Sequence, residues 1–296
     1  MGRQTTQAGA AAKRRVAGSP VRHVGLPALL ALALTFLVAL APRVAADGPA
    51  QALTDALRLE ELAGLIRAEG LADAGTFVPP GPSGKTSDDT LARIEALFNP
   101  AMIRAEMQAA LAAGMERDAQ IRAMNFFDAP RGKSLVRMEL DARAAISDPD
   151  VEAIARSDWA MRQDDSDQTI QLLKRFAEVN SLVERNTAST MTARYHFLCG
   201  LAVGAGGIPD EDAILSQVWS RQDMIRADTE NWLMGYLMMA YAPADDADLK
   251  AYVAFSETPA GQAMNAALFD GFEAAYARIS YGLGLIAGQA TLGQEL

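Results

Sequence analysis

Three short stretches of this chain carry residue types that chemistry uses. Gly81-Pro82-Ser83-Gly84-Lys85-Thr86 ends like a phosphate-cradling loop. A working loop of that kind needs a glycine five residues before Gly84 and a buried strand leading in, so that backbone N–H groups wrap the phosphates. That position is Pro79, and Leu71 to Val78 is broken by Gly75 and carries Asp73. The stretch reads instead as a linker before a helix cap at Thr86 or Ser87. His196 and Cys199, three residues apart, would share one face of a helix and offer two ligands to a soft metal. Two ligands are too few for structural zinc, and flanking Tyr195, Phe197 and Leu198 mark a helix lodged in a core. The same pair lacks a third group to orient a nucleophile. Asp164-Asp165-Ser166-Asp167 suggests calcium, yet a calcium loop counted from Asp165 would need glycine and glutamate where Ile170 and Phe176 stand. It reads as a helix start, as does Asp245-Asp246-Ala247-Asp248. The sequence therefore points to no catalytic residue, no metal ligand and no cofactor.

A fourth stretch is rich in soft and aromatic side chains. Between 219 and 264 lie Met224, Met234, Met238, Met239 and Met264, with Trp219, Trp232, Tyr236 and Tyr241. Methionine adapts to irregular partners, so Trp232, Met234, Met238 and Tyr241 could line a groove for a protein or a small apolar ligand. Core filling is the other use of the same residues.

The elements that would position these side chains begin after a leader. Lys13, Arg14, Arg15 and Arg22 form a basic head, Leu26 to Ala41 is almost wholly apolar, and Val44-Ala45-Ala46 offers small residues before Asp47. This is the pattern of a signal peptide over residues 1–46. The apolar run is shorter than the roughly 20 residues of a membrane helix. Cleavage and release into the periplasm is the expectation, with an N-terminal inner-membrane anchor as its alternative. Six of the 27 basic residues and none of the 37 acidic ones lie in that segment. The remaining chain holds 21 basic against 37 acidic residues, a formal charge of −16, which repels nucleic acid and anionic membrane surfaces. Cys199 is the single cysteine, so no internal disulfide can form.

The mature chain reads as all-α. Alanine, leucine, methionine and glutamate dominate, and alternating β-branched runs are absent. Asn99-Pro100, Asp148-Pro149 and Thr258-Pro259 each place proline at a first helical position behind a capping residue. The expected organisation is a helix in 47–69, a Gly- and Pro-rich linker over 70–86, and an all-helical domain over 87–296. Helices are predicted at about 50–68, 87–98, 100–113, 116–127, 130–146, 149–162, 167–186, 189–203, 209–241, 245–256 and 259–285. Short connections predict antiparallel hairpins packed as an irregular bundle, with no sheet.

One motif occurs twice. Phe126-Phe127-Asp128-Ala129-Pro130-Arg131-Gly132-Lys133 recurs 129 residues later as Phe255-Ser256-Glu257-Thr258-Pro259-Ala260-Gly261-Gln262. The residue before proline leaves helical geometry, so one helix ends there and proline starts the next. Phenylalanine packs under the corner, and glycine in the new first turn allows a close approach. Phe126, Pro130 and Gly132, then Phe255, Thr258, Pro259 and Gly261, mark two similar helix–corner–helix units at 116–146 and 245–285. The second copy resembles the Phe-Tyr-x-Ser/Thr-Pro-x-Gly-Lys/Gln corner of exported bacterial proteins grouped as domain of unknown function 2059. Ser256 stands at the tyrosine position there, while the first copy has Phe127 at that position and Ala129 for Ser/Thr. The resemblance implies an all-helical envelope protein and brings no activity or catalytic residues. The expectation is a non-enzymatic exported binding protein; the competing class is a periplasmic hydrolase using buried carboxylates that sequence does not reveal.

Overall fold

Proline and acidic residues start most of the helices where the sequence places them. The computed structural model describes residues 48–78 and 86–292, which form thirteen α-helices and, among these residues, no strand. They are α1 (Pro49–Ala56), α2 (Leu59–Phe77), α3 (Asp88–Leu97), α4 (Pro100–Gly114), α5 (Arg117–Asp128), α6 (Pro130–Ile146) and α7 (Pro149–Arg162). There follow α8 (Gln168–Val179), α9 (Leu182–Gly204), α10 (Glu211–Trp219), α11 (Gln222–Tyr241), α12 (Asp246–Ser256) and α13 (Pro259–Leu292). Ser87, Asn99, Asp148, Asp167 and Asp210 each accept a backbone N–H at a helix start. These bonds satisfy donors that a helix leaves without an internal partner. The expected signal peptide and the phosphate-loop look-alike up to Lys85 lie outside the described residues.

Several boundaries differ from the sequence expectation: the helix expected over 50–68 is broken at Leu57–Arg58 into α1 and α2, and the last helix runs on to Leu292. Helix α2 continues through Gly70 to Phe77, so the first half of the expected linker is helical. Leu53, Leu59, Ala63 and Ile66 are buried in the shared core, so the N-terminal helices pack on the bundle rather than standing apart. The expected helix over 167–186 breaks at Asn180–Ser181. Ser181 sits in the left-handed region at φ 51°, and Asn180 turns its amide back to the Phe176 carbonyl. The carbonyls released by that break are held by α13, because Gln262 donates to Val179 O at 3.0 Å and Asn265 to Asn180 O at 2.9 Å. The expected helix over 209–241 is divided at Ser220–Arg221 into α10 and α11. At Asn180–Ser181 these tertiary partners outweigh a weak local preference.

The two repeated motifs are both corners. A Cβ on Gly132 would lie 2.2 Å from Phe126 O, and one on Gly261 would lie 2.2 Å from Phe255 O. Burial agrees well beyond the eight motif positions. Gln120, Ala123, Phe127, Gly132, Leu135, Leu140 and Ala142 are buried. So are the residues 129 positions on, Leu249, Tyr252, Ser256, Gly261, Met264, Phe269 and Gly271. The units also touch at their equivalent points, since the rings of Phe126 and Phe255 stack 4.4 Å apart at 14°. Helix α4, which precedes the first unit, packs on α13 of the second; α11, which precedes the second, packs on α6 of the first. This reciprocity is that of an approximate two-fold. Phe255 is buried, whereas Phe126 is half-buried.

The closest crossing joins α9 and α13. A Cβ on Gly200, Gly204, Gly284 or Gly288 would fall 2.0 to 2.3 Å from a carbonyl oxygen of the facing helix. Glycine at each of these positions lets two backbones meet with no side chain between them.

Candidate functional site

The buried polar chemistry of this bundle gathers around α6. Three tyrosines converge on Glu139 from α11 and α12. Tyr241 and Tyr252 both donate to its Oε1, Tyr252 at 3.1 Å, and Tyr236 donates to its backbone carbonyl at 3.0 Å. Burial raises the Glu139 carboxyl above the ordinary range, and the two phenol donors only partly offset that. Burial beside this carboxylate also raises all three phenols. One turn further along α6, Arg143 forms a bidentate pair with Glu69 of α2, at 2.9 and 2.7 Å. Tyr276 of α13 lies beside it, its phenol pushed up by burial to about 12. Asp73, a turn beyond Glu69, is also raised, first by burial and then by Glu69 and Glu152.

The internal repeat shows that the corner does not require this cluster. The position equivalent to Glu139 is Leu268, that of Tyr252 is Ala123, and that of Arg143 is Phe272. Leu268 and Phe272 pack against the apolar core and Ala123 is fully buried. The same architecture is thus closed once with apolar side chains and once with a carboxylate, phenols and an ion pair. Repetition was the sequence signal that could have located Glu139, through its mismatch with Leu268.

A cleft of about 760 Å³ opens on the other side of the first corner. Its walls are Ala52, Asp55 and Ala56 of α1, Met124 and Asp128 of α5, Pro130, Lys133, Ser134 and Arg137 of α6, and Arg58 between α1 and α2. That volume is within the range of small-molecule sites. Arg58 adopts φ 53°, a left-handed conformation that a side chain rarely takes and that carries strain. The charges on the walls are paired locally. Lys133 meets Asp128 at 2.7 Å, Asp55 meets Arg104 at 3.1 Å, and Glu61 faces both Arg58 and Arg137. Such exposed pairs are individually weak, about 0–1 kcal/mol, so a charged ligand can exchange with them at small cost.

The sequence-derived groove is corrected by burial. Trp232, Met234, Met238 and Tyr241 are all in the core, where Trp232 stacks on Tyr236 at 5.4 Å. They line no open surface, because α11 is enclosed by α6, α7, α8 and α9. Trp219 and Met224, at the start of the same stretch, are the exposed ones. Phe126, Pro130 and Gly132, with Phe255, Thr258, Pro259 and Gly261, stand at the two corners. Thr258 Oγ1 accepts from Gly261 N at 3.0 Å, whereas Ala129 leaves the equivalent first turn without a side-chain cap. Burial lowers His196 and raises Cys199, so the imidazole is neutral and the thiol protonated near neutral pH. Neither is prepared as a nucleophile. Among the described residues, no group of three His, Cys, Asp or Glu side chains could hold a metal ion. No described helix is long and apolar enough to cross a membrane.

No protein-family model, curated protein or solved structure matches the chain.

Proposed function

We propose that this chain is an exported, non-enzymatic helical binding protein of the bacterial cell envelope, and that it takes a small polar, charged ligand in the cleft beside its first corner. The leader over 1–46 and the resemblance of the second corner to domain of unknown function 2059 support the address. The cleft itself supports binding: it has the volume of a small ligand, and its walls carry Arg58, Lys133, Arg137, Asp55 and Asp128 as exchangeable pairs. The two carboxyl groups with raised pKa values, Glu139 and Asp73, are not on its walls. A hydrolase would place such groups where substrate reaches them.

A thermal-shift panel of carboxylates, amines and short charged peptides tests this on the mature chain beside the double variant Lys133→Glu, Arg137→Glu. A ligand that binds only the folded state raises the melting temperature by an amount that grows with the logarithm of its concentration above its Kd. At least one compound is expected to raise it in the parent and not in the double variant. No such compound, or a compound converted to product at a rate lost in Glu139→Gln, would contradict the reading. The second outcome would make the chain an enzyme.

A further inference from the structure

The surface around α10 departs from the rest of the molecule in its share of exposed apolar side chains. Helix α10 buries only Val218, and it packs chiefly on α9. Of the eleven exposed large apolar side chains among the described residues, five lie between 203 and 224: Val203, Ile208, Leu215, Trp219 and Met224. Ile208 is 94% exposed, and Trp219 and Met224 are each 59% exposed. Apolar side chains scattered singly are ordinary, but a concentration over a single hairpin marks a contact surface.

Two arginines stand in the same place without a counter-ion. Arg194 of α9 is half-buried, and its Nε is enclosed with no hydrogen-bond partner. Burial, and then a second cation, Arg221 in the turn between α10 and α11, disfavour its charge. Among the described residues neither guanidinium joins an ion pair, although acids outnumber bases across the chain and most other partly buried arginines hold a carboxylate. A half-buried guanidinium beside a like charge is unfavourable unless an anion completes it. Arg221 is two residues from Trp219 and three from Met224, so the cationic pair and the apolar side chains belong to one patch.

We infer that the α9–α10–α11 surface binds a single-chain amphiphilic anion, with its carboxylate on Arg194 and Arg221 and its apolar tail over Trp219, Met224 and Leu215. One negative charge answers the pair, and the tail covers side chains that water now surrounds. An extended anionic membrane is a poorer partner because the mature chain carries −16 overall. This site is separate from the corner cleft.

Calorimetric titration with dodecanoate below its micellar concentration tests the assignment on the mature chain, with Trp219 emission as a second readout. Acetate supplies the anion without the tail, and dodecyl maltoside the tail without the anion. Dodecanoate is expected to saturate at one site and to shift Trp219 emission to the blue. Arg194→Gln and Arg221→Gln should each weaken it at least tenfold, while Lys133→Glu leaves it unchanged. The assignment is overturned by the absence of saturable binding, by equal affinity for dodecyl maltoside, or by an affinity that neither arginine variant changes. It is also overturned by a dimer of the free protein that Trp219→Ser dissociates, since the patch would then be covered by a second copy, or by tight binding to anionic vesicles. A failed thermal-shift panel at the cleft leaves these outcomes untouched.

Discussion

Glu139 is the residue whose chemistry departs furthest from its sequence context. On α6 it is the single glutamate, two residues from Asp141, and only the folded chain brings Tyr241 and Tyr252 to its Oε1. Nothing in the local sequence marks it, because its partners lie more than a hundred positions away. Its folded pKa is above the ordinary 4.5. For an acid shifted upward, the favourable contribution is complete below the unfolded value and is lost as pH rises through the folded one. Glu139→Gln keeps an acceptor for both phenols and removes the ionisation. The urea midpoint of the parent should therefore fall relative to that of the variant as pH climbs above about 4.5 and through the raised value. Parallel midpoints from pH 4 to pH 8 would show that Glu139 ionises without strain. A second residue-scale expectation comes from the unequal corners. Ala129 has φ −67° and ψ 155°, an extended geometry suited to a capping side chain. Ala129→Thr should install the cap that Thr258 provides and raise stability by about 0.5–2 kcal/mol, and Thr258→Ala should lower it by a similar amount. Equal melting curves for parent and Ala129→Thr would remove the equivalence of the two corners.

Helices and corners were the part most legible in the sequence, and the reasons are local. Proline fixes the first turn, and the residue before it cannot remain helical, so starts at Pro100, Pro130, Pro149 and Pro259 follow from neighbouring residues alone. The break at Asn180–Ser181 was not legible, because Gln262 and Asn265 stabilise it from a distant helix. The groove over Trp232, Met234, Met238 and Tyr241 failed for a related reason: composition does not say whether a soft stripe is covered. The contact of α9 with α13 is the element-scale feature with the sharpest test. Gly284→Leu pushes a side chain into the Phe197 carbonyl and should destabilise by about 1–3 kcal/mol or more. Phe255→Ala should cost roughly 3–5 kcal/mol by leaving a cavity under the second corner. Phe126→Ala should cost less, since Phe126 is half-buried. Denaturant melts of the three variants check the order, and a Phe255→Ala protein as stable as the parent would show that the corner does not depend on its phenylalanine.

At the scale of the whole molecule, the described chain is a helical bundle that contains two similar corner units, α5–α6 and α12–α13. Where Glu139 and Arg143 of the first unit stand, with Tyr252 of the second bonded to Glu139, the equivalent positions hold Leu268 and Phe272 of the second and Ala123 of the first. The all-α class was legible from composition, whereas the cleft was not, because α1, α5 and α6 supply its walls from separate parts of the chain. The Arg194–Arg221 pair was hidden for the same reason. The proposed function depends first on the address, since a protein of the envelope must leave the cytoplasm. The most direct measurement is the intact mass of the protein recovered from the periplasmic fraction of expressing cells. A chain beginning at Asp47, lighter than the full sequence by residues 1–46, is the expected species. A full-length chain confined to the cytosolic fraction would contradict it.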